Sequence, residues 1–236
     1  MLRGVNGQQI FEEKEDCEKI IQILKDYKVI SEYKIFAYCL MGNHIHLLMQ
    51  EITEPIEVFM KRITTKFVYW YNIKYKRTGH LFQDRFKSEP VEDDMYLLTV
   101  LRYIHRNPIK AGLVDSLEAY EYSSYSEYFQ GSDLIDTDYI YEIISKEEFL
   151  RFNQEESLDN CLDVEDKTRV RVIDEEAKMI IAKISKCKNV TEFQYLKNNF
   201  QEKYIKKFYD KGISIRQISR LCGVSKGRVE KCVADT

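Results

Sequence analysis

The runs YKIFAYCLMG, residues 33–42, and HIHLLMQ, residues 44–50, constrain the fold of this chain more than any other segment. Both have strand length and apolar content, and Gly42-Asn43 between them suits a tight turn or a bulge. His44 and His46 then stand at the start of the second run. In an extended strand alternate side chains share a face, so the two imidazoles project together while Ile45 points the other way. That geometry suits a metal ion, although the spacing by itself is permissive and a core histidine is the plainer alternative.

The elements around this pair follow from periodicity and punctuation. MLRG reads as the end of a strand, and residues 13–28 as a helix with Ile20, Ile21, Ile23 and Leu24 on its inner side. A second helix is expected over 54–76, with Pro55 near its first turn. A third opens on the acidic residues after Val91 and should stop at Asn107, because the residue before Pro108 resists the helical conformation. Tyr103 and Asn107 lie four apart on it and share a face. Between the second and third helices, Arg77, Arg85 and Lys87 interleave with His80, Phe82 and Phe86. Cations beside rings are what a single-stranded nucleic acid needs, and an ordinary strand with its phenylalanines in the core fits equally well.

Charge divides the chain. Residues 1–114 carry a net +2, residues 115–176 a net −14, and residues 177–236 a net +9. We expect a first domain over 1–129, an acidic and partly helical connector over 130–176, and a helical domain over 177–236. The last of these ends in GISIRQISRLCGVSKGRVEKCV. There Ile215, Ile218 and Leu221 form one buried side, Gly223 permits a turn, Val224 enters the core, and Ser225 caps a second helix bearing Val229. This is a helix-turn-helix pattern, and it would present Lys226, Arg228 and Lys231 to duplex DNA. A purely structural helical hairpin is the alternative. Six cysteines without Cys-x-x-Cys spacing indicate neither a zinc cluster nor a disulfide framework, so reduced thiols are expected. With no apolar run long enough to cross a bilayer and no leader-like start, the expected location is the cytoplasm, without membrane association.

Several ordered motifs together point further. LRGVNGQQIF, YCLMGNHIHLLM, GHLFQDRFKS, LRYIHRNPIKAG and YSSYSEY, spread from Leu2 to Phe129, resemble the single-tyrosine HUH transposases, the family that includes the REP-associated tyrosine transposases. The resemblance implies an α+β fold: a mainly antiparallel, ferredoxin-like sheet bearing the His-hydrophobic-His strand, with helices packed on it. It implies that His44, His46 and Asn107 bind a divalent ion, Mg²⁺ or Mn²⁺, and that Tyr103 is the nucleophile. The implied reaction cleaves and rejoins single-stranded DNA, recognised with a hairpin, through a 5′-phosphotyrosine in DNA transposition. Arg3, Arg77, Phe82, Arg85 and Lys87 are the expected contacts to that strand. Insertion-sequence relatives act as homodimers and REP-associated ones as monomers, and a homodimer is the expectation here. Two departures stand out: a first strand shorter than in relatives, and Gly7 where relatives often carry arginine. They make a decayed copy acting as a DNA-binding regulator the alternative. Free phenol titrates near pH 10, so Tyr103 needs a local helper, and its sequence neighbours Arg102 and His105 occupy different helix positions.

Overall fold

In the computed structural model, which describes residues 1–156, 161 and 172–234, the two apolar runs pair as expected. Strand β1 is Leu2–Arg3, β2 is Lys34–Met41 and β3 is His44–Gln50. They form an antiparallel sheet in the order β1-β3-β2. The register sets Arg3 and Met41 opposite His44, and Cys39 opposite His46. The Gly42 carbonyl in the turn accepts from the Ile10 and Phe11 amides, at 2.8 and 3.2 Å, which holds the approach to His44.

An exposed strand edge leaves a row of unpaired amides and carbonyls, and here both outer edges are covered. Along β1, the Gln83 amide donates to the Arg3 carbonyl at 2.8 Å and the Lys87 amide to the Met1 carbonyl at 2.9 Å. The two-residue strand is therefore paired on both sides. Along β2, the Leu40 amide donates to Tyr122, the Tyr38 amide to Ser124 Oγ, and the Tyr128 hydroxyl to the Phe36 carbonyl. Gly7 adopts φ 63°, a left-handed conformation that an arginine side chain disfavours, so the local backbone matches the residue present.

Eleven α-helices lie among the described residues. Helix α1 (Lys14–Ser31) buries Ile20, Ile23 and Leu24 and packs on α2 (Ile56–Lys74). Ile21 is only half-buried. Helix α3 (Asp94–Lys110) lies against β2 and β3. It does not stop at Asn107 but runs through Pro108. The proline stands in the last turn, so only the Ile104 carbonyl loses its usual donor, and the end is still closed by the Ala111 amide on Asn107 and the Leu113 amide on Pro108. The buried proline ring fills space there.

Short helices α4 (Glu127–Gln130), α5 (Asp138–Ile143) and α6 (Lys146–Gln154) follow. Leu134, Ile135, Ile140 and Phe149 from this stretch belong to the same core as the sheet, so this part of the expected connector is packed structure. Part of that connector, 157–160 and 162–171, lies outside the described residues. A second core is built by α7 (Asp174–Ser185), α8 (Val190–Gln194), α9 (Asn198–Asp210), α10 (Ile215–Cys222) and α11 (Lys226–Ala234). Asp174 joins the two. Its amide donates to the Glu12 carbonyl at 3.1 Å, while its carboxylate accepts from Arg220 Nη2 at 2.9 Å and Gln217 Nε2 at 3.0 Å.

Helices α10 and α11 are linked by three residues, with Gly223 at φ 63°. A Cβ there would meet Gln194 Nε2 at 2.3 Å, the same nitrogen that donates to the Gly223 carbonyl. The buried side differs from the expected triplet. Ile218 and Cys222 are fully buried with Gln217, whereas Ile215 and Leu221 are half-buried at the margin.

Helix α3 is fastened by one buried imidazole. His105 Nε2 lies 2.9 Å from Ser124 Oγ, which also bonds to the backbone of Tyr38 in β2, and His105 Nδ1 lies 3.0 Å from Asn153 Oδ1 in α6. Burial pushes its pKa down to about 4. Unfolded imidazole titrates near 6.5, so between these values the unfolded chain binds the extra proton and stability falls as pH drops. The loss reaches about 3 kcal/mol at pH 4. Urea denaturation of wild type and His105→Gln should show a stability gap that is widest near pH 7 and narrows steadily toward pH 4.5. Parallel profiles would show that the imidazole is not held neutral.

Candidate active site

Strand β3 and helix α3 bring His44, His46 and Tyr103 together. His44 and His46 share one face of β3, with ring centroids 4.9 Å apart. Nδ1 of His44 lies 2.7 Å from Asn43 Oδ1, so this nitrogen carries the proton and donates, and Nε2 bears the lone pair. His46 is nearly buried, 5% exposed. Burial, then the neighbouring His44, the N-terminal ammonium and Lys110, hold its pKa well below the ordinary value. A neutral imidazole is the form that binds a metal.

Tyr103 comes from α3, and its ring meets His46 edge-on with centroids 5.7 Å apart. The side chains of His46, Tyr103, Val100 and Tyr96 line a cavity of about 50 Å³ that also reaches Glu89. One helical turn beyond Tyr103, Asn107 is buried, and its Nδ2 faces the Tyr103 carbonyl at 3.5 Å. Its amide oxygen is therefore the atom suited to a ligand role. Among the described residues no group of three His, Cys, Asp or Glu side chains could hold a metal. Two imidazoles and one amide would make a neutral N,N,O donor set, which leaves positions for other oxygens on a hard divalent ion.

The competing tyrosines are placed differently. The Tyr96 hydroxyl donates to Glu89 at 2.5 Å, and this hydrogen bond holds its pKa above the usual phenol value. Tyr69 projects from α2 and is largely exposed. Neither Arg102 nor His105 faces the cavity. Arg102 stacks on Phe152 of α6 at 4.0 Å, and His105 is engaged by Ser124 and Asn153. Lys110 was not among the expected site residues, yet its Nζ lies 5.2 Å from the Tyr103 ring centroid. Its spacing of seven from Tyr103 would have found it, had the helix been carried through Pro108.

The expected DNA contacts separate into groups. Arg3 sits beside His44 through the strand register. Phe82 and Arg85 line a groove of about 710 Å³ with Lys61, Thr64, His80 and Phe86. Phe82 is half-buried against Phe67, as a core ring would be, while Arg85 and Lys87 are exposed. Arg77 is turned inward, over the Tyr71 ring at 5.5 Å and 3.4 Å from Gln8. In the helical bundle Lys226 pairs with Glu230 at 3.3 Å, Arg228 Nη2 donates to Asn198 at 2.9 Å, and Lys231 is exposed. The three do not share one helix face, because positions two and five apart are rotated far from each other.

Comparison with known proteins covers the part of the chain that holds this site. Residues 2–107 match the family described as "Transposase IS200 like". A protein of Haemophilus influenzae named as a REP-associated tyrosine transposase is 32% identical over 114 residues, which are 42% of this chain and 64% of that protein. The chain thus spans less than two thirds of that relative's length. A solved structure of a REP-associated tyrosine transposase bound to a REP hairpin aligns with a TM-score of 0.43 at 16% identity, over 50% of this chain and 76% of that one. The residues that match the IS200-like transposase family model include His44, His46, Tyr103 and Asn107.

Proposed function

We propose that the chain is a DNA transposase that cuts and rejoins single-stranded DNA through a covalent 5′-phosphotyrosine at Tyr103. The observation that carries this reading is the edge contact between the Tyr103 ring and His46, with Asn107 one turn further along the same helix face. His44, His46 and Asn107 would hold a divalent ion, Mg²⁺ or Mn²⁺. The donor set fits such an ion, since His44 Nε2 bears the lone pair and burial keeps His46 neutral. When bound, the ion supplies Lewis acidity that offsets the negative charge of a phosphodiester. The protein's own part is orientation. Helix α3 holds the Tyr103 ring against the histidine strand, and the small, largely apolar cavity limits water around the attacking oxygen.

Attack by Tyr103 leaves a 3′-hydroxyl on one side and keeps the linkage's energy in the phosphotyrosine, so rejoining needs no nucleotide. The DNA is single-stranded with a hairpin, met by Arg3 beside His44 and by the groove holding Phe82 and Arg85, with Lys87 exposed alongside. Helices α10 and α11 act as a helix-turn-helix that adds duplex contacts, with Lys226 and Lys231 meeting phosphates from different sides of α11. The protein acts in the cytoplasm. Among the described residues no helix is long and apolar enough to cross a membrane.

Incubating labelled single-stranded hairpin DNA with the protein and Mn²⁺ or Mg²⁺, then resolving it on a denaturing gel, should give a shifted covalent band. Tyr103→Phe should abolish the band while DNA binding persists, and His46→Ala should abolish both the band and its metal dependence. A band from Tyr103→Phe would place the nucleophile elsewhere, and none from folded, metal-bound wild type would favour a decayed, DNA-binding regulator. For the bundle, replacing Lys226 and Lys231 together with alanine should weaken duplex binding about tenfold and flatten its salt dependence, since each lost phosphate contact lowers the salt slope by about one. An unchanged slope would remove duplex recognition from α11.

A further inference from the structure

We propose that Lys110 is a further catalytic residue, whose ammonium holds a non-bridging oxygen of the scissile phosphate beside Tyr103. This deepens the phosphotyrosine reading and rests on it.

Three observations converge on this residue. The first is its position on α3. Because the helix continues through Pro108, Tyr103, Asn107 and Lys110 recur at intervals of four and three, which keeps them on one face. A helix that ended at Asn107 would have left Lys110 in a turn with no fixed direction.

The second is contact. Lys110 Nζ stands 5.2 Å from the Tyr103 ring centroid. The residue is exposed, so a phosphate can reach the ammonium from solvent. The other cations of α3 are directed to α6 instead. Arg102 stacks on Phe152 and pairs with Glu155, and Arg106 Nη1 donates to the carbonyls of Asn153 and Gln154 at 3.0 Å each.

The third is the electrostatics of the helix end. Lys110 is the last residue of α3, so the site lies by the negative end of the helix dipole, where the last carbonyls repel an incoming anion. The ligand residues offer no compensation, being two neutral imidazoles and an amide. A lysine in the last turn opposes that field at the place where a phosphodiester must approach.

In the step itself, the bond from Tyr103 Oη to phosphorus forms as the bond from phosphorus to the 3′ oxygen breaks. The phenolic proton passes to water, the departing oxygen takes a proton from water, and the phosphodiester keeps its single negative charge. Lys110 stays protonated throughout. Its contribution grows as charge gathers on the equatorial oxygens of the transition state.

The test uses the full chain with Mn²⁺ and labelled single-stranded hairpin DNA, and measures the rate of adduct formation at saturating DNA. Lys110→Met should slow the adduct about 100-fold, the scale for losing one preorganised donor. Lys110→Arg keeps the charge and should recover most of that loss. Wild-type rates in Lys110→Met would overturn the proposal, as would equal slowing by Met and Arg, which would assign the effect to packing on the Tyr103 ring. A second arm needs no catalysis. Lysine methylation of the Tyr103→Phe protein, read by mass spectrometry with and without the hairpin DNA, should show Lys110 shielded severalfold. Full labelling of Lys110 while other lysines are shielded would also overturn it. A wild-type chain that forms no adduct would count against the phosphotyrosine reading, while the methylation arm still decides whether Lys110 meets the DNA.

Discussion

The placement of Tyr103 depends on the hydrogen bonds made by one buried imidazole two residues away. His105 reaches Ser124 on one side and Asn153 on the other, and Ser124 is itself bonded to the backbone of Tyr38. This ties α3 to the edge of β2 and to α6 at once. A buried polar group is costly unless satisfied, so the arrangement is stringent: moving α3 would strand an imidazole, a hydroxyl and an amide together. With one face of the helix held in this way, the opposite face presents Tyr103, Asn107 and Lys110 to the histidine strand.

That face is unusual in its charge. His46 is held neutral by burial, Asn107 is neutral, and the nearby carboxylate Glu89 is engaged by Tyr96. The site therefore carries little charge of its own, and a phosphodiester brought there would depend on cations for neutralisation. A divalent ion on one side and Lys110 on the other would supply it from two directions. The same face is continuous, through the Arg3–His44 register, with the strand edge covered by residues 81–87 and with the groove that contains Phe82 and Arg85.

The helical bundle is not hung loosely from this structure. Asp174 bonds to Glu12, and the adjoining residues Ile10 and Phe11 hold the Gly42 carbonyl in the turn before His44. Arg220 and Gln217 of α10 bond to the Asp174 carboxylate. A short path of backbone and side-chain bonds thus runs from the first helix of the α10–α11 pair to the turn that sets the histidines. In this arrangement the α10–α11 pair and the cavity at Tyr103 keep a set spacing.

How much was legible in the sequence varies by element. The β2–β3 pair, the shared face of His44 and His46, and helices α1 to α3 follow from local signals, since strand alternation and helical periodicity act over a few residues. Pairing of Tyr103 with the histidines came from a family resemblance, because no local rule brings residues 46 and 103 together. Pro108 misled because the residue before a proline is only biased away from the helical region, and here the buried ring sits in the final turn, where a single carbonyl loses its donor. Arg77 and Arg228 read as surface cations, yet Tyr71 and Asn198 turn them toward the protein.

By itself the sequence determined the chemistry on offer: two imidazoles on one strand face, a tyrosine and an amide one turn apart, and a basic helical end. Only the tertiary structure decided which tyrosine meets the histidines and which cation stands beside it. Those choices depend on long-range bonds of side chains such as His105 and Asp174, whose partners lie far away in the chain, and on a helix end whose course is set by packing.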